Sequence, residues 1–301
     1  MTCDLSVAAI EAIGQITRSD PSGRGLAQAV PEIPLREAAA ELLSGQRVAL
    51  VTGFCIRSAM TGESDGPPGT LTLAAALSRL GKEIALITDT HSAELLAAVS
   101  AVHQTSFPVT TLTLSGADTQ LTALAASFSP THVVAIERPG KAKDGHLYSM
   151  RGEMLDDIVP AADILFQPSA PRRWKTIAIG DGGNELGMGS LREGMKQRVS
   201  HGDLIFCATP ADFVIAAGTS NWGSYALTAA LSLLSGTLLL PSPQKERNAL
   251  EALLAAGAVD GCTKSPSLSV DGIPWDDYSK ILEAIYRETQ KALPACTRPG
   301  T

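Results

Sequence analysis

The residues best suited to chemistry concentrate in one run, Gly180-Asp181-Gly182-Gly183-Asn184-Glu185-Leu186-Gly187-Met188-Gly189. Asp181 and Glu185 offer carboxylates, and Asn184 offers an amide, within five positions. Five glycines among the ten residues permit left-handed backbone and close approach of main chain to a ligand. Gly182, Gly183 and Asn184 are therefore expected ligand contacts. Such a set serves proton transfer, hard-metal coordination or capture of an ammonium group. Asp181 and Glu185 are the candidate bases.

Other candidates lie at the ends of apolar runs. After RVALVT comes a long loop with four glycines between Gly53 and Gly69, together with Glu63, Asp65 and Pro67-Pro68. It ends where a helix is expected to start, near Gly69-Thr70, and a helix start can hold an anion. Glu63 and Asp65 are candidate proton donors or metal ligands. Asp89 follows EIALIT, where it can bind a ligand or cap the next helix. Glu137 and Arg138 follow HVVAIE, and a charged pair there must be paired or bind something. Arg138 and Arg151 can each grip a carboxylate through two parallel hydrogen bonds, or join internal ion pairs. Tyr148 is a candidate substrate contact. After FVIAA, the run Gly218-Thr219-Ser220-Asn221-Trp222-Gly223 opens a helix. Ser220 and Asn221 can cap it or present free N–H groups to an anion, and Trp222 can form a pocket wall. A divalent cation (Mg, Mn or Ca) suits the acids Asp65, Asp89, Glu137 and Asp181.

These positions require a scaffold that brings strand ends together. Short apolar runs at 47–52, 83–88, 109–114, 132–137, 175–179 and 213–217 read as buried strands. Helical patterns alternate with them at 35–43, 70–80, 91–102, 121–128 and 222–234. Two more follow at 244–256 and 276–292. This alternation predicts an α/β fold with a doubly wound, mostly parallel sheet and helices on both faces. Ligands in such sheets sit beyond the carboxyl ends of the strands. Residues 1–34 read as a helical arm (5–16) and a Ser/Pro/Gly-rich linker, with 35–301 as a single catalytic domain.

Composition narrows the class. The net charge is −7 and no long basic run exists, which argues against nucleic acid as a partner. Cys3, Cys55, Cys207, Cys262 and Cys296 show no metal or redox spacing, which suits a reducing compartment. No apolar run is long enough to span a membrane, and no leader pattern precedes the first helix, so a cytoplasmic protein is expected. The apolar helices and the arm are compatible with a homodimer. There is no P-loop, no G-x-S-x-G and no H-E-x-x-H. A dinucleotide fingerprint also fails, because the sixth position from Gly180 is Glu185 and from Gly187 is Arg192.

Four segments together carry a resemblance: TGESDGPPGT (61–70), AIERPG with DGHLYSMRG (135–152), IAIGDGGNELGMG (177–189) and AGTSNWGSYAL (217–227). In this order they resemble the D-glutamate cyclase family, in its carboxy-terminal catalytic domain, over roughly residues 35–292. Where that family has ET-D-GPPG, this chain has Glu63-Ser64-Asp65 and keeps both carboxylates. The resemblance implies a hydro-lyase that converts D-glutamate to 5-oxo-D-proline. The rival expectations are an enzyme for a phosphate or nucleotide ligand, or a non-catalytic amino-acid sensor.

Overall fold

In the computed structural model, residues 4–167 and 174–296 are described. Cys3 lies outside them. Six parallel strands form the central sheet: β1 (Arg47–Thr52), β2 (Glu83–Asp89), β3 (Val109–Leu112), β4 (His132–Ile136), β5 (Lys175–Gly180) and β6 (Phe213–Ala216). Their spatial order is β3-β2-β1-β4-β5-β6. β1 is central, with Val48 opposite Ile84 on one side and His132 on the other.

Apart from the edge strand β3, whose VTTL is mostly exposed or half-buried, the strands are apolar because both faces are covered, yet the two faces differ. Val48, Leu50, Leu86, Val134, Ile136, Ile177 and Ile179 point into the larger core. Their neighbours Ala49, Val51, Ala135, Ala178 and Ala216 point into the smaller one. Bulky branched residues meet helices on the first face. Those helices include α1 (Asp4–Thr17), α2 (Leu35–Ser44), α3 (Pro67–Arg79), α4 (Ala93–His103) and α6 (Ser220–Ser235). α7 (Pro243–Ala255) and α8 (Trp275–Cys296) complete that layer. Alanines on the second face admit α5 (Ala117–Phe128) and irregular chain between 142 and 207. The doubly wound fold is present, with helices weighted to one side.

Two helix starts differ from expectation for reasons that bear on the site. α3 begins at Pro67 rather than Thr70, because Pro67 and Pro68 occupy first-turn positions that need no N–H partner. α6 is capped by Thr219, whose hydroxyl accepts from Trp222 N–H at 3.2 Å, rather than by Ser220 or Asn221. The helix of the amino-terminal arm packs on the body. Ile10 and Ile13 of α1 are buried in the larger core, and α1 packs on α6 and α8. Gly218 N–H donates to Thr17 carbonyl at 3.0 Å and fastens the following segment to the β6–α6 turn.

Candidate active site

Strand order reverses between β1 and β4, neighbours whose following chain segments diverge, so a crevice opens beyond their carboxyl ends. The residue after β4 is Glu137. Its φ of 43° is left-handed, a conformation that costs a non-glycine residue about 1–3 kcal/mol and persists only where its surroundings fix it. Here the fixing groups are Ile179 carbonyl, which accepts from Glu137 N–H, and Gly53 N–H, which donates to Glu137 carbonyl, both at 3.2 Å. The Glu137 carboxylate accepts from Ser220 Oγ at 2.6 Å.

Asp65 and Asp181 converge on the same point. Asp65, Glu137 and Asp181 each offer an oxygen, and the three atoms lie within 4.8 Å of one another. All three residues are buried, and Glu63 is 5% exposed beside them. Burial pushes the carboxyls of Glu63, Asp65, Glu137 and Asp181 well above the usual carboxylate range. For Glu63 and Asp65 the neighbouring charge of Asp271 adds to burial; for Glu137 the charge of Glu185 does.

One cation sits in this cluster. Arg24, from the segment read as a linker, donates through Nη1 to Asp181 and through Nη2 to Asp271. Burial opposes its charge, but Asp181 and Asp271 outweigh burial and hold the guanidinium well above its ordinary pKa. A cavity of about 250 Å³ opens on the cluster; Arg24, Glu63, Glu137, Met150, Arg151 and Cys262 are among its lining residues. The Glu63 carboxylate takes no hydrogen bond among the described residues.

Several expected ligand groups serve the protein instead. Glu185 turns its carboxylate back on its own loop. It accepts from the N–H groups of Asp181 (3.1 Å), Gly182 (2.6 Å) and Gly183 (2.7 Å) and does not line the cavity. Gly182 and Gly183 thereby lose their free N–H groups as well. Gly183 is required by its φ of 90° and by Phe206, whose ring would lie 2.6 Å from a Cβ. Asn184 donates to Tyr148 carbonyl at 2.9 Å, and Tyr148 donates its hydroxyl to Asp144 at 2.7 Å.

Arg138 is fully buried and donates to Asp89, Gly53 carbonyl (3.0 Å) and Pro160 carbonyl. This internal pair replaces its expected role as a substrate anchor, and it keeps Asp89 out of the carboxylate cluster. Trp222 stacks on Tyr278 in the core, with ring centroids 5.2 Å apart, so it is no pocket wall. The helix starts expected to hold anions are filled by the protein's own groups. Asp65 accepts from Ser220 N–H and Asn221 N–H at 2.7 and 2.8 Å. The Asn221 side-chain oxygen accepts from Gly66 N–H and Gly69 N–H at 3.0 and 2.8 Å. Only Arg151 remains of the two expected arginines, on the cavity wall and bonded to Cys262 carbonyl at 3.0 Å.

Arg24 and Asp271 are the site residues that a motif reading misses. Asp271 stands with Gly272 at the tip of a hairpin between 269–270 and 273–274, with φ values of 54° and 77°. Val-Asp-Gly-Ile is a strong hairpin signal, so its place in a turn was readable, though not its partner. For Arg24 no local signal points to the site.

The family model described as "D-glutamate cyclase-like, C-terminal" matches residues 13–286, so the match starts inside α1 rather than near residue 35. The human protein named "D-glutamate cyclase, mitochondrial" is 32% identical over 295 residues. That alignment takes in 85% of this chain and 48% of the human protein, so the chain spans about half the length of this relative. No helix among the described residues is long and apolar enough to cross a membrane. With a buried carboxylate cluster at the strand ends and a match over most of its length, the chain belongs to the D-glutamate cyclase-like family, in its C-terminal part.

Proposed function

We propose that this protein is a hydro-lyase that cyclises D-glutamate to 5-oxo-D-proline with release of water. Family membership and the printed name of the human relative support the reaction. The observation that carries it is the cavity wall where Glu63 and Glu137 stand with Arg24 and Arg151. Acids suit an ammonium group and arginines suit carboxylates, and glutamate has both. The filled helix starts count against a phosphate ligand, which would need those N–H groups.

In the reaction the substrate nitrogen bonds to Cδ, the carbon of its own γ-carboxyl group. The nitrogen gives up two protons, and one γ-carboxyl oxygen leaves with them as water. Glu63 is the group to carry these protons, because it lines the cavity, takes no hydrogen bond among the described residues and has its pKa raised by burial. It first donates to the γ-carboxylate, which makes that group a better electrophile. As a carboxylate it then takes a proton from the ammonium group, and a second round delivers the other proton to the leaving oxygen. Asp181 is not among the cavity-lining residues and sits behind Arg24, so the base role moves from Asp181 to Glu63. Arg151 holds a substrate carboxylate, and the cavity walls fix the folded substrate so that nitrogen meets carbon.

Asp65, Glu137 and Asp181 form an all-oxygen donor set that fits a hard divalent cation such as Mg, Mn or Ca. Such a cation would polarise the γ-carboxyl group and stabilise charge on its oxygen. The free thiols of Cys55, Cys207 and Cys262 support the cytoplasmic reading. The test incubates the protein with D- and L-glutamate, with and without EDTA, and follows 5-oxoproline by chiral chromatography. Product from the D-isomer is expected. Absence of product from both isomers, with Mg or Mn supplied, removes the cyclase reading.

A further inference from the structure

We propose that Arg24, with the cavity-lining acids Glu63 and Glu137, forms the receptor for the α-amino-carboxylate end of the substrate, with Asp271 as the positioning residue of Arg24. The inference rests on the amino-dicarboxylate reading above and assigns a role to a segment outside the motifs that suggest it.

The segment is built to deliver this side chain. The Asp20 carboxylate accepts from Ser22 Oγ (3.2 Å), Arg24 N–H (3.0 Å) and Gly25 N–H (2.7 Å), which closes a tight turn just before the arginine. Gly25 has a φ of 86°, and a Cβ there would lie 2.8 Å from Arg198 carbonyl. Arg18 ties down the far side through Ala27 and Gln28 carbonyls, both at 3.0 Å. A surface loop free to wander would need none of these bonds.

The hydrogen bonding within the cluster is incomplete in a complementary way. A guanidinium has five donors. Arg24 uses Nη1 on Asp181 and Nη2 on Asp271, with Cys262 Sγ 3.8 Å from Nη2. Its Nε takes no partner among the described residues, and its side chain lines the cavity at 14% exposure. On the acid side, Asp181 Oδ2 and Asp271 Oδ2 are buried without a partner. Native ion pairs that serve stability alone satisfy such oxygens, because an orphaned buried carboxylate oxygen is costly. Arg138 also has an unpartnered Nε, but it is fully buried with its terminal nitrogens spent on Asp89 and on carbonyls, whereas Arg24 faces the cavity. Arg24 thus keeps spare donors on the cavity, Nε among them, and the acids that line the same cavity are Glu63 and Glu137. An α-amino acid matches both: its carboxylate meets the spare Arg24 donors, and its ammonium faces Glu63 and Glu137.

The test uses 2-aminobutyrate of both chiralities, which carries the same head group and cannot cyclise. Calorimetry on the native protein and on Arg24→Gln should show at least a tenfold loss of 2-aminobutyrate affinity in the variant. With D-glutamate, Arg24→Gln and Arg24→Lys should raise KM at least tenfold and lower kcat less. Arg24→Lys guards against a misfolded glutamine variant, because it keeps the charge and loses only the fork. Asp271→Asn should raise KM several-fold with kcat retained. If oxoproline forms and Arg24→Lys leaves KM and 2-aminobutyrate affinity unchanged, Arg24 is structural and the inference falls alone. If no oxoproline forms from either isomer while Arg24 variants lose 2-aminobutyrate, the cyclase reading falls and the head-group receptor stands.

Discussion

Asp65 and Asn221 cap each other's helices. The Asp65 carboxylate accepts the first N–H groups of α6, from Ser220 and Asn221. The Asn221 side chain accepts from Gly66 and Gly69 at the start of α3 and donates to Ser64 carbonyl at 3.1 Å. Two positive helix ends are thereby neutralised from within, and Asp65 is fixed beside Glu137 and Asp181. What looked like two anion sites is one clamp that sets the position of a carboxylate.

Asn221→Ala leaves the buried Gly69 N–H without its acceptor and Ser64 carbonyl without its side-chain donor, while Gly66 N–H keeps Asp65 at 3.1 Å. Each orphaned group costs about 1–3 kcal/mol, so a fall in Tm of several degrees is expected. Activity should fall as well, because Asp65 is no longer held in place. A thermal melt unchanged from the parent would show that the clamp carries no stability.

The Glu185 carboxylate serves as the floor of its loop, and this separates it from Asp181. Glu185→Gln sets an amide group against three backbone N–H donors and should cost about 1–3 kcal/mol in urea unfolding. Asp181→Asn loses the Arg24 ion pair and a cluster ligand, so it should abolish turnover. If Glu185→Gln kept full stability while turnover lost its acidic limb in pH, Glu185 would be a base after all.

Much of this was legible in the chain itself. Buried parallel strands are unbroken apolar runs, so all six could be read locally, as could the helices between them. The site was only partly legible, because its partners are distant. Arg24 meets Asp181 across 157 positions, and Arg138 meets Asp89 across 49. A charged pair at the end of HVVAIE reads alike whether it meets a ligand or a buried partner. An acid among glycines likewise reads alike whether it faces substrate or backbone, and both Glu185 and Asp65 accept from main-chain N–H groups.

A second buried carboxyl, Glu246, gives a pH signature away from the site. Burial pushes it up to about 7 from 4.5, with Tyr278 hydroxyl donating to it at 3.4 Å. The folded state therefore holds a proton that the unfolded chain releases above about 4.5. Its stabilising effect is full below that value and is lost as pH rises toward 7, by roughly 3 kcal/mol in all. Urea titrations of the parent and Glu246→Gln at pH 5.5 and 8 should show the variant gaining on the parent at the higher pH. An equal difference at both values would place the Glu246 pKa outside this window.

The donor set of Asp65, Glu137 and Asp181 predicts a cation-dependent Tm. Mg or Mn that binds only the folded state stabilises it by RT ln(1 + [L]/Kd), about 2.7 kcal/mol at a hundredfold excess over Kd. EDTA should reverse the gain, and Glu137→Gln should abolish it. A native protein whose Tm ignores both ions and EDTA would leave Arg24 as the only cation of the cluster.

Glu63 is the sharpest point of the mechanism, because its role depends on its proton. Glu63→Gln keeps the shape and removes the transferable proton, so kcat should fall by about 10²–10⁴. KM should change little, since the two arginines rather than Glu63 hold the substrate carboxylates. Fit matters here, because Glu63 Oε2 lies 1.6 Å from where a Cβ on Gly261 would stand. Gly261→Ala should therefore displace the Glu63 side chain and lower kcat without touching a charged group. If Glu63→Gln retained its kcat while Gly261→Ala lost activity, the cavity would matter for shape, and the proton carrier would have to be Glu137, the other cavity-lining acid of the cluster.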